Sequence, residues 1–127
     1  NALEKILTLT TDAFEFDDAR TASQVEPLEQ VIDILVERLR AQHIKRLKDG
    51  ACSIDTGVVY LDVLNNVERI SDHCSNIAAR LVGMEAGEDY DSHTLKNMMH
   101  HNPTKEYMLN YEQCRRDYLV PLEQLEA

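Results

Sequence analysis

The residues of this chain with the clearest chemistry are four carboxylates in two copies of one spacing. Glu29-Gln-Val-Ile-Asp33 and Glu68-Arg-Ile-Ser-Asp72 are both E-x-x-x-D, and they lie almost symmetrically about Gly50-Ala51. A helix stacks side chains four residues apart on one face. If the intervening segment folds as an antiparallel helical hairpin, Glu29 comes level with Asp72 and Asp33 with Glu68. Four carboxylates at similar heights on neighbouring helices offer oxygen ligands to a hard or borderline cation such as iron, zinc, manganese or magnesium. A single i, i+4 acidic pair is common on a solvent face and destabilises its helix by roughly a few tenths of a kcal/mol. Two pairs in mirror register are rarer. Asn65 and Asn76 project near the face of Glu68 and Asp72 as neutral oxygen donors, while Arg40 and Arg69 are placed to neutralise the acids as ion pairs.

The elements that must carry these residues read as helices throughout, because apolar residues recur at helical spacing along the whole chain. A first helix is predicted over roughly 3–20, with Leu3, Ile6, Leu7 and Phe14 inward and a loosening at Asp17-Asp18 and Arg20-Thr21. Ser23-Gln-Val-Glu26 has the form of a capping box, and Pro27 fits a first turn. The second helix, roughly 24–49, buries Leu28, Ile32, Leu35 and Leu39 and ends at Gly50 after the basic Lys45, Arg46 and Lys48. On the third helix, from near Ile54 to Val82, a seam of Val63, Val67, Ile70, Cys74, Ile77 and Leu81 repeats every three or four residues. A linker from Gly83 to Asp91 follows. Ser92 to His101 reads as a short helix, and Asn102-Pro103 as the N-cap and first residue of a final helix reaching Glu126. Helical projection sets Glu29 and Asp33 roughly 90–130° from the core stripe and Glu68 and Asp72 roughly 140–180° from theirs. All four are therefore expected to face outward or flank the core. The two pairs either converge over the groove between the helices or splay apart, according to the hand of the bundle.

Composition bounds the classes of function. The chain has 127 residues, 43% hydrophobic and 28% charged, with four Gly and three Pro, which suits one globular helical domain rather than a turn-rich β-fold. A net charge of −10 repels phosphate backbones and anionic membranes, so nucleic acid is not an expected partner. Cys52, Cys74 and Cys114 are odd in number and widely spaced, as free thiols are in a reducing compartment. No apolar run approaches the ~20 residues of a membrane span. The chain opens on Asn1-Ala2 rather than Met, and reads as a fragment of a longer protein. His73 projects toward the core flank, where packing is its simplest role. His93, His100 and His101 lack the i, i+4 geometry of a helical zinc pair, Cys114 lacks a positioned base, and Tyr107, Tyr111 and Tyr118 form one packing edge of the last helix. No nucleophile triad, phosphate loop or dinucleotide fingerprint is present, so no enzymatic activity is expected.

The segments His43-Ile-x-Arg-Leu-x-x-Gly50 and Tyr60-Leu-Asp-Val-Leu-Asn-Asn-Val-Glu-Arg-Ile-Ser-Asp-His-Cys-Ser-Asn-Ile-Ala78 resemble the PhoU family of phosphate-transport regulators, specifically over residues 24–82. The Glu68-to-Ala78 core combined with His43-Ile-x-Arg-Leu and the neighbourhood of Cys52 is similar to the PhoU-like domain at the C-terminal, cytoplasmic end of bacterial sodium/phosphate cotransporters. The resemblance implies an all-α antiparallel bundle: a PhoU-like three-helix unit with a C-terminal extension at 92–127, in one domain over 1–127. It also implies that Glu29, Asp33, Glu68 and Asp72 hold metal ions on the outer bundle surface, since the family's E/D-x-x-x-D motifs bind multinuclear clusters, iron or zinc among them. The implied function is regulation of phosphate uptake at the cytoplasmic face of the cell membrane, as a domain of a multi-pass membrane protein. Its implied partners are the transporter's membrane portion or phosphate-signalling proteins. Stand-alone members have two units in tandem, so a single unit favours the transporter domain, and a complete metal cluster then calls for a homodimer. A stand-alone phosphate-regulon regulator and a metal-sensing helical protein are the alternatives.

Overall fold

In the computed structural model, which describes residues 1–88 and 91–126, the chain is an all-helical bundle. The side chains of Ser92, His100 and Glu126 lie outside the description, as do Asp89 and Tyr90 of the expected linker. Three long helices form the central unit: α1 (Ala2–Phe16), α3 (Val25–Lys48) and α4 (Ile54–Ala86), with the single-turn α2 (Ala19–Ala22) between the first two. All three pack against one another. Short turns make α3 antiparallel to both neighbours. Outside this unit α5 (Ser92–His101) lies on α4, while α6 (Lys105–Cys114), a π-helical turn (Arg115–Leu119) and α7 (Val120–Glu126) run along α3. The last run is parallel to α3: Tyr107 shares a cavity with Glu26, and Arg38 donates to Glu123 at 3.0 Å.

Local chemistry explains where the helices break. Asp17 adopts a left-handed backbone (φ 51°) that ends α1 at Phe16 rather than near residue 20. Asp18 then caps α2, accepting from the backbone N–H of Arg20 and Thr21 and from the Thr21 hydroxyl at 2.7 Å. The capping box expected at Ser23 and Glu26 does not form. Residues 23 and 24 are already in helical backbone conformation, so Ser23 cannot reach forward as an N-cap and instead donates to the Arg20 carbonyl at 2.6 Å. At the hairpin, Gly50 (φ 72°) takes the left-handed position that lets the Gly50 and Ala51 N–H groups bond back to the carbonyls of Leu47 and Arg46. Ser53 caps α4 by accepting from Thr56 N–H. The last helical run is capped by Thr104, which accepts from Tyr107 N–H at 3.0 Å, whereas Asn102 closes α5.

The core is built from Ile6, Leu9 and Ala13 of α1, Val25, Leu28, Ile32 and Val36 of α3, and Leu64, Cys74 and Ala78 of α4, with Leu39 and Val67 packed at its edge. Two expectations fail here. Phe14 (71% exposed) and Leu7 point to solvent, because α1 is covered on one side only. On α4 the inward face is the small one, with Gly57, Leu64, Ser71, Cys74, Ser75, Ala78 and Gly83 buried, while Val63, Ile70 and Ile77 of the expected seam are exposed. Small residues let neighbouring helices come close, which burial of the bulkier stripe would prevent. At Gly57 an added Cβ would fall 2.6 Å from Leu47 Cδ2 and 3.1 Å from His43 Nε2. The result is an outward apolar ridge of Val59, Val63, Ile70, Ile77 and Met84 along α4.

Leu28 is fully buried between the helices, so Leu28→Ala is expected to lower stability by about 2–5 kcal/mol in urea denaturation. Phe14→Ala is expected to stay within about 0.5 kcal/mol. Comparable losses for the two would contradict this core.

Candidate metal centre

Burial of acids defines the site. Glu26 and Glu29 sit on the first turns of α3 and are enclosed where α5 and α6 cover that end of the helix; Glu29 is 0% exposed. The projected outward position of Glu29 is thus corrected: its flank of α3 is solvent-facing in the three-helix unit but not beneath the C-terminal helices. One oxygen of Glu29, Asp33 and Asp72 can be chosen so that all three lie within 4.8 Å of one another, with Glu29 buried, Asp33 half-buried and Asp72 exposed. The acidic pairs of α3 and α4 therefore converge over the groove between the helices. Glu68 stands apart from this triad. Its Oε2 takes an ion pair from Arg40 at 3.1 Å, and the same guanidinium donates to Asn65 Oδ1 at 2.9 Å. Glu68 still contributes negative field at Asp33.

Two buried oxygens of the triad, Glu29 Oε2 and Asp33 Oδ1, have no hydrogen-bond partner, and neither does Glu26 Oε1 beside them. Such groups are costly unless a proton or a cation satisfies them. Burial raises the Glu29 carboxyl far above the usual carboxylate range, and the facing Asp33 adds to the rise. Burial also raises Asp33, opposed by its contact with Glu29 and by the charge of Lys96. Glu26 is raised by burial against the pull of the Ser75 hydroxyl, which donates to Glu26 Oε2 at 2.7 Å. The nearest positive group is Lys96 of α5, whose Nζ lies 3.0 Å from Glu29 Oε1. Burial would depress Lys96, but its bond to Glu29 and the surrounding acids outweigh that and raise it. The chemistry of the donors is uniform. Carboxylate oxygens only, two of them buried and unpartnered, fit a hard cation of the magnesium, manganese or ferric kind better than a zinc site of nitrogen and sulfur ligands.

Residues 1–81 match the PhoU domain. The chain belongs to the PhoU domain family. The match takes in α1 as well as the α3–α4 hairpin, so it extends beyond the 24–82 stretch that carried the resemblance. Similar relatives include the phosphate-specific transport system accessory protein PhoU homolog 1 of Thermotoga maritima, 25% identical over 85 residues, which are 67% of this chain and 37% of that protein. The PhoU homolog of Streptococcus pneumoniae is 34% identical over 79 residues, 62% of this chain and 37% of that protein. The chain thus spans little more than a third of the relatives it matches. No solved structure is similar enough to count as a match.

Around the acidic centre of this PhoU protein three participants were not singled out from sequence as part of a site. Glu26 continues the acidic stripe one turn before Glu29, a signal that the capping-box reading absorbed. Ser75 lies on the small-residue face of α4 and was passed over for the apolar seam. Lys96 follows Glu29 by 67 residues and carries no local signal. Other candidates fall away from the centre. His73 is exposed rather than at the core flank, and His93 and His101 are exposed as well; the His100 side chain lies outside the described residues. Burial raises the Cys114 thiol to about 11, the opposite of an activated nucleophile. Tyr107 and Tyr111 stack at 6.4 Å between centroids, consistent with a packing edge.

The raised Glu29 carboxyl has a definite sign in stability. Its ordinary value is 4.5, and above that the folded chain holds a proton that the unfolded chain releases. The stability from this group is complete below that value and is lost as pH rises through the folded one. Chelator-treated protein is expected to melt at progressively lower temperature from about pH 4.5 to about pH 9, and Glu29→Gln, which cannot ionise, to flatten part of that decline. Parallel melting curves for the two proteins would show that Glu29 is not raised.

Proposed function

We propose that this PhoU domain is a regulatory module of phosphate uptake, whose acidic centre takes a hard metal cation. The observation that carries the reading is that the family-matching segment itself brings Glu29, Asp33 and Asp72 together and leaves two of their buried oxygens unpartnered. The phosphate role is supported by the relatives, which are named accessory proteins of phosphate-specific transport. Glu29 and Asp33 from α3 and Asp72 from α4 would hold the ion, with Glu68 joining once Arg40 lets go. The bound cation would supply positive charge between two helices that now face each other through like charges. Neutralised, these acids no longer repel, and α3 and α4 hold one relative position more firmly. That stiffened surface is the form a partner would recognise.

The finer reading is a domain at the cytoplasmic face of a sodium/phosphate cotransporter, in contact with its membrane portion. It rests on the resemblance carried by His43 to Gly50 and Tyr60 to Ala78. Those segments meet in the structure: the buried His43 ring stacks on Tyr60 at 4.3 Å, with the Arg46 guanidinium 5.6 Å from the same tyrosine ring. Among the described residues no helix is long and apolar enough to cross a membrane, so membrane contact would be made through a surface. The exposed ridge of Ile70, Ile77 and Met84 on α4 is such a surface. The relatives' names favour a stand-alone accessory protein instead, and the same ridge would then serve a homodimer or a signalling partner. Neither reading contains a catalytic step.

Titration with manganese, magnesium or ferric ions is expected to raise the melting temperature, by the equivalent of about 2.7 kcal/mol when free ion is ~100 times its dissociation constant. Asp33→Asn combined with Asp72→Asn is expected to remove the shift. No shift with any of these ions in the unsubstituted protein would overturn the metal reading. For the regulatory role, Ile70→Asp with Ile77→Asp, both on the exposed ridge, is expected to alter phosphate uptake by cells while the purified variant melts normally. Unchanged uptake in that variant would remove the ridge from the reading. Retention of the native gene product in alkali-washed membranes would favour the transporter domain, and its release the stand-alone regulator.

A further inference from the structure

The family-matching segment supplies acids to the centre, but the cation that touches its buried member comes from elsewhere. Lys96 stands on α5, beyond residue 81, and its ammonium binds Glu29 Oε1 at 3.0 Å with its own side chain 27% exposed. The same charge acts on Glu26 and Asp33. An ammonium at that position holds one oxygen of the carboxylate whose other oxygen, Oε2, is buried and unpartnered. A metal ion requires carboxylate oxygens at about 2.0–2.6 Å. A metal drawn onto the free Oε2 would lie on the same carboxylate as the ammonium on Oε1, and two positive charges so placed repel in a partly dry site. Lysine and metal therefore oppose each other at Glu29, each lowering the other's hold on it.

The helix that carries Lys96 is suited to leave. It has ten residues, and isolated helices of fewer than about 12–15 residues are marginal in water, so α5 is held by what it docks against. Besides its packing along α4, two contacts hold it at the acidic centre. One is Leu95, 6% exposed, which with Met99 faces Glu26, Val82 and Tyr107 across a cavity of about 210 Å³. The other is the Lys96–Glu29 ion pair.

We propose that Lys96 is a built-in counter-ion of the acidic centre, opposing a metal cation at Glu29, so that loading the centre frees α5 from the acids and loosens its seat on α4. This inference rests on the metal reading above and adds its regulation: metal occupancy is read out as the docked or released state of the C-terminal extension. Because coupling is reciprocal, a partner that captures released α5 would tighten metal binding by the same factor.

The test is a manganese titration of the full chain by calorimetry, with amide hydrogen exchange of residues 92–101 followed in parallel. Lys96→Gln is expected to bind manganese more tightly than the unsubstituted chain, within the about 5–150-fold range of such couplings, and to show fast exchange in α5 even without metal. Lys96→Arg, which keeps the charge, is expected to bind no more tightly than the original. Lys48→Gln, an exposed lysine at the far end of α3, controls for net charge and is expected to leave affinity unchanged. In the unsubstituted chain, manganese is expected to speed exchange of α5 while slowing it in α3 and α4. If the original chain binds manganese and Lys96→Gln binds equally or less tightly, or if α5 exchange is indifferent to metal, the counter-ion inference fails while the metal reading stands. If neither protein binds manganese, both fall together.

Discussion

Carboxylates buried at one end of α3 are the constraint around which this structure is arranged. Taking Glu26, Glu29 and part of Asp33 out of water is unfavourable unless each oxygen finds a proton, a donor or a cation. The chain answers with one of each kind: the Ser75 hydroxyl on Glu26, the Lys96 ammonium on Glu29, and protonation, favoured by burial, at the Glu29–Asp33 contact. The compensation depends on that proton, since without it three buried carboxylate oxygens stay unpartnered. A core that needed only stability would replace these acids with apolar side chains of similar volume.

The same region shows how closely the site depends on helix packing. Serines 71 and 75 occupy the buried face of α4 because that face is built from small residues, and a hydroxyl is what the buried Glu26 requires. Turning α4 by one residue to bury Val63, Ile70 and Ile77 would face bulky side chains toward α3 and carry Ser75 away from Glu26. The outward ridge is the counterpart of that choice. A helix with one small polar-tolerant face and one apolar face serves two purposes at once, close contact with α3 inside and a sticky surface outside.

Much of the fold was legible in the chain, and the reasons are local. Helical periodicity, the basic turn before Gly50 and the Asp17-Asp18 break each act within a few residues, so the order of helices and the hairpin followed from spacing. Which face of α4 turned inward did not, because hydrophobicity ranks Ile70 above Ser71 while packing ranks the smaller residue higher. Among the acids, the mirror spacing about Gly50 gave Glu29 and Asp72 a common height, but not that the two helices turn them toward each other. The detachment of Glu68 was not, since Arg40 was only one of two arginines placed to reach it.

Sequence alone determined that this is a helical PhoU domain, because residue spacing and motif are properties of the chain in one dimension. It also put two acidic pairs on the two arms of one hairpin. Only the tertiary structure decided that Glu29 is buried rather than flanking, that the two acidic pairs converge, and that Lys96 reaches them. Each of those outcomes depends on the hand of the bundle and on where α5 and α6 come to rest. Such long-range placement is set by the sum of many weak packing contacts, and no short window of residues encodes it.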